Sequence, residues 1–173
     1  MNPFFVEQAS MYLAYHRNPK NRATHFVGVP SIAFAILIPM AWVGLFPVGG
    51  YMVSLATLFL VGVVALYLWM DAPLGLATGL FYLPVLLAAE WAASTGLATG
   101  GLIFAAFFIG GWILQLIGHG FEGRKPALVD NLFQIFVAPM FLMAEIFFAL
   151  GLRRELHDEM ESRWVKYAAR TAT

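Results

Sequence analysis

The chain has 173 residues, 61% of them hydrophobic and 12% charged, with a mean hydropathy of +0.76. Soluble domains carry about 25% charged residues, so this composition reads as one compact integral membrane domain over residues 1–173. Lys plus Arg (10) balance Asp plus Glu (10), which leaves no global field for nucleic acid; the lack of cysteine excludes disulfides, thiolate haem, cysteine-ligated iron–sulfur clusters and a cysteine nucleophile.

Residues 1–15 read as a short amphipathic helix, with Asn2 as N-cap and Pro3 in the first helical position. Its Phe4, Phe5, Met11, Tyr12 and Tyr15 are expected on the membrane surface. The segment from His16 to His25 is polar and basic, and Asn18-Pro19 signals a turn. Arg17, Lys20 and Arg22 form the densest basic cluster before any span, which places this end in the cytoplasm. The first long apolar run starts only at residue 26, so no signal peptide is expected.

Five apolar runs follow, over 26–46, 51–70, 73–93, 102–118 and 132–152. A helix of about 20 residues crosses the hydrocarbon core, so the first four read as spans. Pro30 and Pro39 are expected to bend the first. The fifth contains Pro139 and Glu145 and precedes Arg153 and Arg154; a full crossing would put these arginines outside. The expectation is therefore an all-α polytopic membrane bundle of four spans plus a re-entrant segment, with a fifth crossing as the alternative. Residues 153–170 read as a charged cytoplasmic helix, with His157 on its surface and Arg163, Lys166 and Arg170 among its bases.

Residues 115–128 change the chain's character. Gln115, His119 and Glu122 are spaced i, i+4 and i+7, so a helix turns all three the same way. Gly118 and Gly120 flank the histidine and let a backbone or ligand approach it, and Pro126 stops any continuing helix. The alternative is an ordinary basic helix end whose Arg124 and Lys125 reach lipid headgroups.

Four crossings bring His16–His25, Asp71 and His119–Arg124 to one membrane face, whereas residues 47–50 and 94–101 on the other hold no charge and no histidine. Positive-inside sorting explains the arginines and lysines but not the histidines. His16, His25 and His119 are therefore candidate ligands for iron or zinc, with Glu122 or Glu145 as a possible oxygen ligand and Gln115 and the asparagines as orienters. Glu90, beside Trp91 near a span end, reads either as functional or as an interfacial anchor. No Walker loop, dinucleotide-binding glycine pattern, GxSxG or HExxH is present.

His16-Arg-Asn18-Pro-x-Asn21-Arg-x-Thr-His25-Phe-x-Gly28-Val-Pro30, then Gln115-x-Ile-Gly118-His119-Gly-Phe-Glu122-x-Arg124-x-Pro126-Ala-Leu128, then Pro139 and Glu145, resemble the membrane 2-hydroxy fatty acid dioxygenase family typified by a yeast enzyme of phytosphingosine breakdown. The resemblance implies Fe(II)-dependent α-oxidation: a 2-hydroxy fatty acid and O2 give a fatty acid one carbon shorter, with the carboxyl carbon leaving as CO2. It implies Fe(II) on His16, His25 and His119, with Glu122 or Glu145 completing or buttressing the coordination and Arg124 pairing with the substrate carboxylate. The acyl chain is expected among Phe104, Phe107, Phe108, Phe133 and Phe136, between the spans and in contact with membrane lipid. A compact chain without a retention signal is expected in a bacterial inner membrane, with its site on the cytoplasmic face. Rival readings are another metal-dependent membrane lipid hydroxylase or hydrolase, and a non-enzymatic scaffold or transporter. The uncharged first, second and fourth runs argue against transport.

Overall fold

A computed structural model describes residues 1–168, and Arg170 lies outside them. Asparagine–proline pairs start the first two helices. Asn2 Oδ1 accepts from Phe4 N at 3.0 Å to open α1 (Pro3–Ala14), and Asn18 Oδ1 accepts from Lys20 N at 2.9 Å to open α2 (Pro19–Ala41). Pro30 and Pro39 both lie inside α2, which remains one helix.

A hairpin follows, which the apolar runs do not signal. β1 (Gly44–Val48) pairs antiparallel with β2 (Tyr51–Ser54) across Gly49-Gly50, whose φ values of 54° and 83° suit a tight two-residue turn. Ser54 caps α3 (Leu55–Met70), and Asp71 caps α4 (Ala72–Ser94) through Leu74 N. Helix α5 (Leu97–Glu122) ends at Gly123 in the left-handed region. A 3-10 turn at Ala127–Val129 leads to α6 (Gln134–Ala149), α7 (Arg154–Arg163) and the short α8 (Val165–Ala168).

Helices α2, α4 and α5 are long and apolar enough to cross a membrane, with 23, 23 and 26 residues. At 1.5 Å per residue they reach about 35–39 Å, against about 30 Å of hydrocarbon. The 51–70 run is divided: its first four residues join the hairpin, so α3 has only 16 residues. The fifth run also breaks, though not at Pro139, which lies inside α6. The chain turns by 119° between Ala149 and Arg154, where Gly151 and Arg153 take positive φ. This is the geometry of a broken span or re-entrant loop, and the buried Asp71 carboxylate holds the corner through its ion pair with Arg153.

Helix α1 does not lie on the membrane surface with its aromatic residues outward. Phe5 and Tyr12 are buried because α6 and α7 supply the apolar face they cover, and Tyr15 is buried in a second cluster with Ala127 and Tyr167. Phe5, Val6, Ala9, Tyr12 and Leu13 pack with Val137 and Phe141 of α6 and with Leu156 and Met160 of α7. The charged tail is thus amphipathic: Leu156 and Met160, four residues apart, turn one way and the charges the other. His157 remains half-exposed against the Phe148 ring.

Candidate metal centre

Helices α2 and α5 approach closely because glycines face the seam. A Cβ on Gly118 would fall 2.2 Å from Thr24 Oγ1 and 2.5 Å from Asn21 Oδ1, distances no side chain could keep. That closeness brings His25, in the second turn of α2, against His119, in the last turn of α5. His16 joins them from the link between α1 and α2, its ring stacked 3.8 Å from that of Tyr12. All three imidazoles are buried, and their potential ligand atoms lie within 4.8 Å of one another.

Second bonds orient two of the rings. His16 Nδ1 lies 2.7 Å from the Tyr12 carbonyl oxygen, and His25 Nδ1 lies 2.9 Å from that of Asn21. A carbonyl only accepts, so each Nδ1 carries the proton and each Nε2 keeps a lone pair. Those two Nε2 atoms face each other at 3.1 Å. His119 Nδ1 is buried with no hydrogen-bond partner among the described residues. Facing lone pairs and an orphaned ring nitrogen fit a bound divalent cation, and a backbone carbonyl on the remote nitrogen is the usual support of a metal-ligating histidine. Burial, and then the neighbouring His25, hold the His16 pKa well below the ordinary histidine value, so its ring is neutral and able to ligate.

The carboxylates lie elsewhere. The cluster includes neither Glu122 nor Glu145. Glu122 accepts from Arg17 N at 3.0 Å, Asn18 N at 2.8 Å and Asn21 Nδ2 at 3.1 Å, which fixes the end of α5 to the start of α2. Glu145 pairs with Arg22 at 2.6 Å. Arg124 donates to the Ala14 carbonyl at 2.9 Å and does not line the cavity beside the histidines. Gln115 does line it. Glu90, on α4 beside the start of α3, accepts hydroxyl bonds from Tyr51, Ser54 and Thr57 and so anchors the hairpin.

That cavity, of about 200 Å³, extends from His16, His25 and His119 between α2, α3, α4 and α6. Its wall is almost wholly apolar, including Val29, Phe59, Leu60 and Val63. Ile36, Phe59 and Ile135 line it and are also exposed, so it reaches the bundle's outer surface. Of the five phenylalanines expected as an acyl slot, only Phe136 lines it. Phe104 stacks on Phe108 along α5, Phe107 packs on Phe34, and Phe133 packs on Phe4. The slot turns toward α3 and α4 because the glycine seam closes the α2–α5 side.

Residues 3–150 match the family model described as 2-hydroxy-palmitic acid dioxygenase Mpo1-like. The chain belongs to this family. It is 37% identical over 163 residues to the 2-hydroxy-palmitic acid dioxygenase MPO1 of Saccharomyces cerevisiae, covering 89% of this chain and 86% of the yeast protein. No solved structure matches. All three histidines of the cluster lie within the Mpo1-like match. So do Tyr12, Tyr67 and Tyr82, which line the cavity from α1, α3 and α4 and which motif reading passes over. The available signal was Tyr82, a phenol in the middle of a span and far from either interface.

Proposed function

We propose that this protein is an Fe(II)-dependent dioxygenase that shortens 2-hydroxy fatty acids by one carbon. The three-histidine cluster at the end of an apolar cavity, in a chain of this family, carries the reading. His16, His25 and His119 would hold Fe(II), which supplies O2 activation next to the bond between C1 and C2. The balanced reaction takes one 2-hydroxy acid and one O2 to the shorter acid, CO2 and water.

The protein's own part is placement. Tyr12 and Asn21 carbonyls hold two imidazoles in the ligating tautomer. The apolar wall takes the acyl chain and excludes water from the reacting end. Ile36, Phe59 and Ile135 at the outer surface let the tail enter sideways from lipid. Gln115 orients the head of the substrate. Glu122 and Arg124 act one step back: the first fixes the start of α2, the second the end of α1, and His16 lies between. Glu145 supports the same region through Arg22. Residues 1–168 form a single membrane domain, with this site on the cytoplasmic face of a bacterial inner membrane.

Purified protein loaded anaerobically with Fe(II) should convert 2-hydroxypalmitate and O2 to pentadecanoate and CO2. A hydroxylated or hydrolysed product, or turnover sustained by zinc alone, would overturn the reading in favour of another metal-dependent lipid enzyme.

A further inference from the structure

Three phenols, from three different helices, face the cavity. Tyr12 is 4% exposed, Tyr67 2% and Tyr82 6%, and none of their hydroxyls has a hydrogen-bond partner among the described residues. Buried phenols almost always find a partner, and leaving even one unpaired is costly. Three from three different helices, all lining one cavity, point to a partner that enters from outside. Tyr12 and Tyr67 belong to one packed cluster of buried residues, and Tyr82 lines the same cavity. Tyr12 also stacks on His16, which sets this group beside the histidine cluster.

The chemistry of the partner follows from the donors. An ordinary phenol has a pKa of about 10, so each of the three remains a donor at physiological pH. Gln115, also lining the cavity, adds an amide. Among the described residues no lysine or arginine lines it, so an anion there must be held by neutral donors and by whatever charge the histidines carry as a metal site. A carboxylate has about four acceptor positions, more than a metal alone would fill.

We infer that Tyr12, Tyr67 and Tyr82, with Gln115, form the seat of the substrate head, donating hydrogen bonds to the carboxylate and 2-hydroxyl oxygens of a 2-hydroxy acid. This rests on the substrate reading proposed above. It makes the phenols, and not Arg124, the groups that select an acid head over a neutral one. Arg124 is already engaged at the Ala14 carbonyl.

Tyr67→Phe and Tyr82→Phe test this, because each keeps the ring and removes only the hydroxyl. Tyr12→Phe is avoided, since Tyr12 stacks on His16. Binding of 2-hydroxypalmitate and of hexadecane, which has no head oxygen to accept a bond, would be measured by calorimetry on Fe(II)-loaded protein without O2, alongside iron content. Each variant should bind the acid about tenfold more weakly, the double variant more weakly still, with hexadecane affinity and iron content unchanged. If wild-type protein binds the acid and both variants bind it equally well, the seat is wrong and the substrate reading stands. If the variants lose acid and alkane alike, the phenols only shape the cavity, which also overturns the seat. Wild-type protein that neither binds nor turns over the acid would overturn the substrate reading and the seat together.

Discussion

His16 Nε2 and His25 Nε2 face each other across 3.1 Å, and each imidazole gives its Nδ1 proton to a backbone carbonyl. Both facing nitrogens therefore carry lone pairs, a repulsive contact that a cation between them turns into an attractive one. The fold is expected to be weaker without metal than with it. At a free metal concentration one hundred times the Kd, binding contributes about 2.7 kcal/mol. Thermal unfolding of chelator-treated protein should show a lower Tm that Fe(II) restores. An identical Tm with and without metal would remove the cluster from consideration.

The same cluster gives a pH dependence. The folded-state pKa of His16 lies well below the ordinary value, by burial first and His25 next. The unfolded chain takes up that proton near pH 6.5, whereas the folded protein does not. Metal-free protein should therefore hold constant stability above about 6.5 and lose it as pH falls toward the depressed folded value. Unfolding midpoints of the metal-free form at pH 8 and pH 5 would measure this. Higher stability at pH 5 would mean that the ring is not buried neutral.

Removing one ligand should remove the metal. His25→Ala and His119→Ala should each lose bound iron, whereas His157→Ala, half-exposed against Phe148, should keep it. Metal analysis after gel filtration reads this directly. Full occupancy in His119→Ala protein would dismiss that residue as a ligand.

The two glycines beside His119 should behave oppositely. A Cβ at Gly118 would strike the Thr24 and Asn21 side chains, so Gly118→Ala must displace them and disturb the packing of α2 on α5 beside His25 and His119. Gly120 has open space around its Cβ position, and alanine there should be neutral or more stable by up to about 1 kcal/mol, as in any helix. Iron content and Tm of the two variants make the comparison. Equal loss in both would contradict the close-packed seam.

The residues that could be read from sequence are those whose chemistry is unusual for their place. Histidines gathered on one face of a membrane chain, where positive-inside sorting has no use for them, marked His16, His25 and His119, and the structure clusters all three. Helix starts were equally visible, because Asn2-Pro3 and Asn18-Pro19 combine a cap with a fixed φ. Pairing was not visible. Glu122, Arg124 and Glu145 are what a site would use, but which partner each charge meets depends on which helix ends lie side by side. Here backbone groups of Arg17, Asn18 and Ala14 and the side chain of Arg22 take them. The phenylalanine slot failed for a related reason. Phenylalanine in an apolar span looks the same facing lipid, neighbour or cavity, and only the helix packing distinguishes them.

Orientation in the membrane can be tested without background, since the chain has no cysteine. Cysteines at Lys20, Lys125 and Asp158, all exposed, should react with an impermeant reagent only from the cytoplasmic side. Those at Val48 and Ala98, also exposed, should react only from outside. Labelling at Asp158 from outside would mean that the bent α6–α7 segment crosses the membrane.

Arg124 separates a substrate clamp from a positioning residue. Its guanidinium donates to the Ala14 carbonyl at 2.9 Å, two residues before His16, and does not line the cavity. If it positions, Arg124→Gln should loosen the end of α1, weakening the hold of His16 on iron and lowering turnover through the metal. Loss of one hydrogen bond from a charged donor costs about 1.5–3 kcal/mol, so metal affinity should fall by about one to two orders of magnitude. Turnover of 2-hydroxypalmitate and of its methyl ester should then fall together, and excess Fe(II) should restore much of both. Lysine at this position should rescue in part, since one donated bond suffices for a carbonyl. If it clamps, iron affinity should be unchanged and only the acid should suffer, by the 2–5 kcal/mol or so typical of a truncated desolvated charge pair. Selective loss of the acid with normal iron affinity would return Arg124 to the substrate.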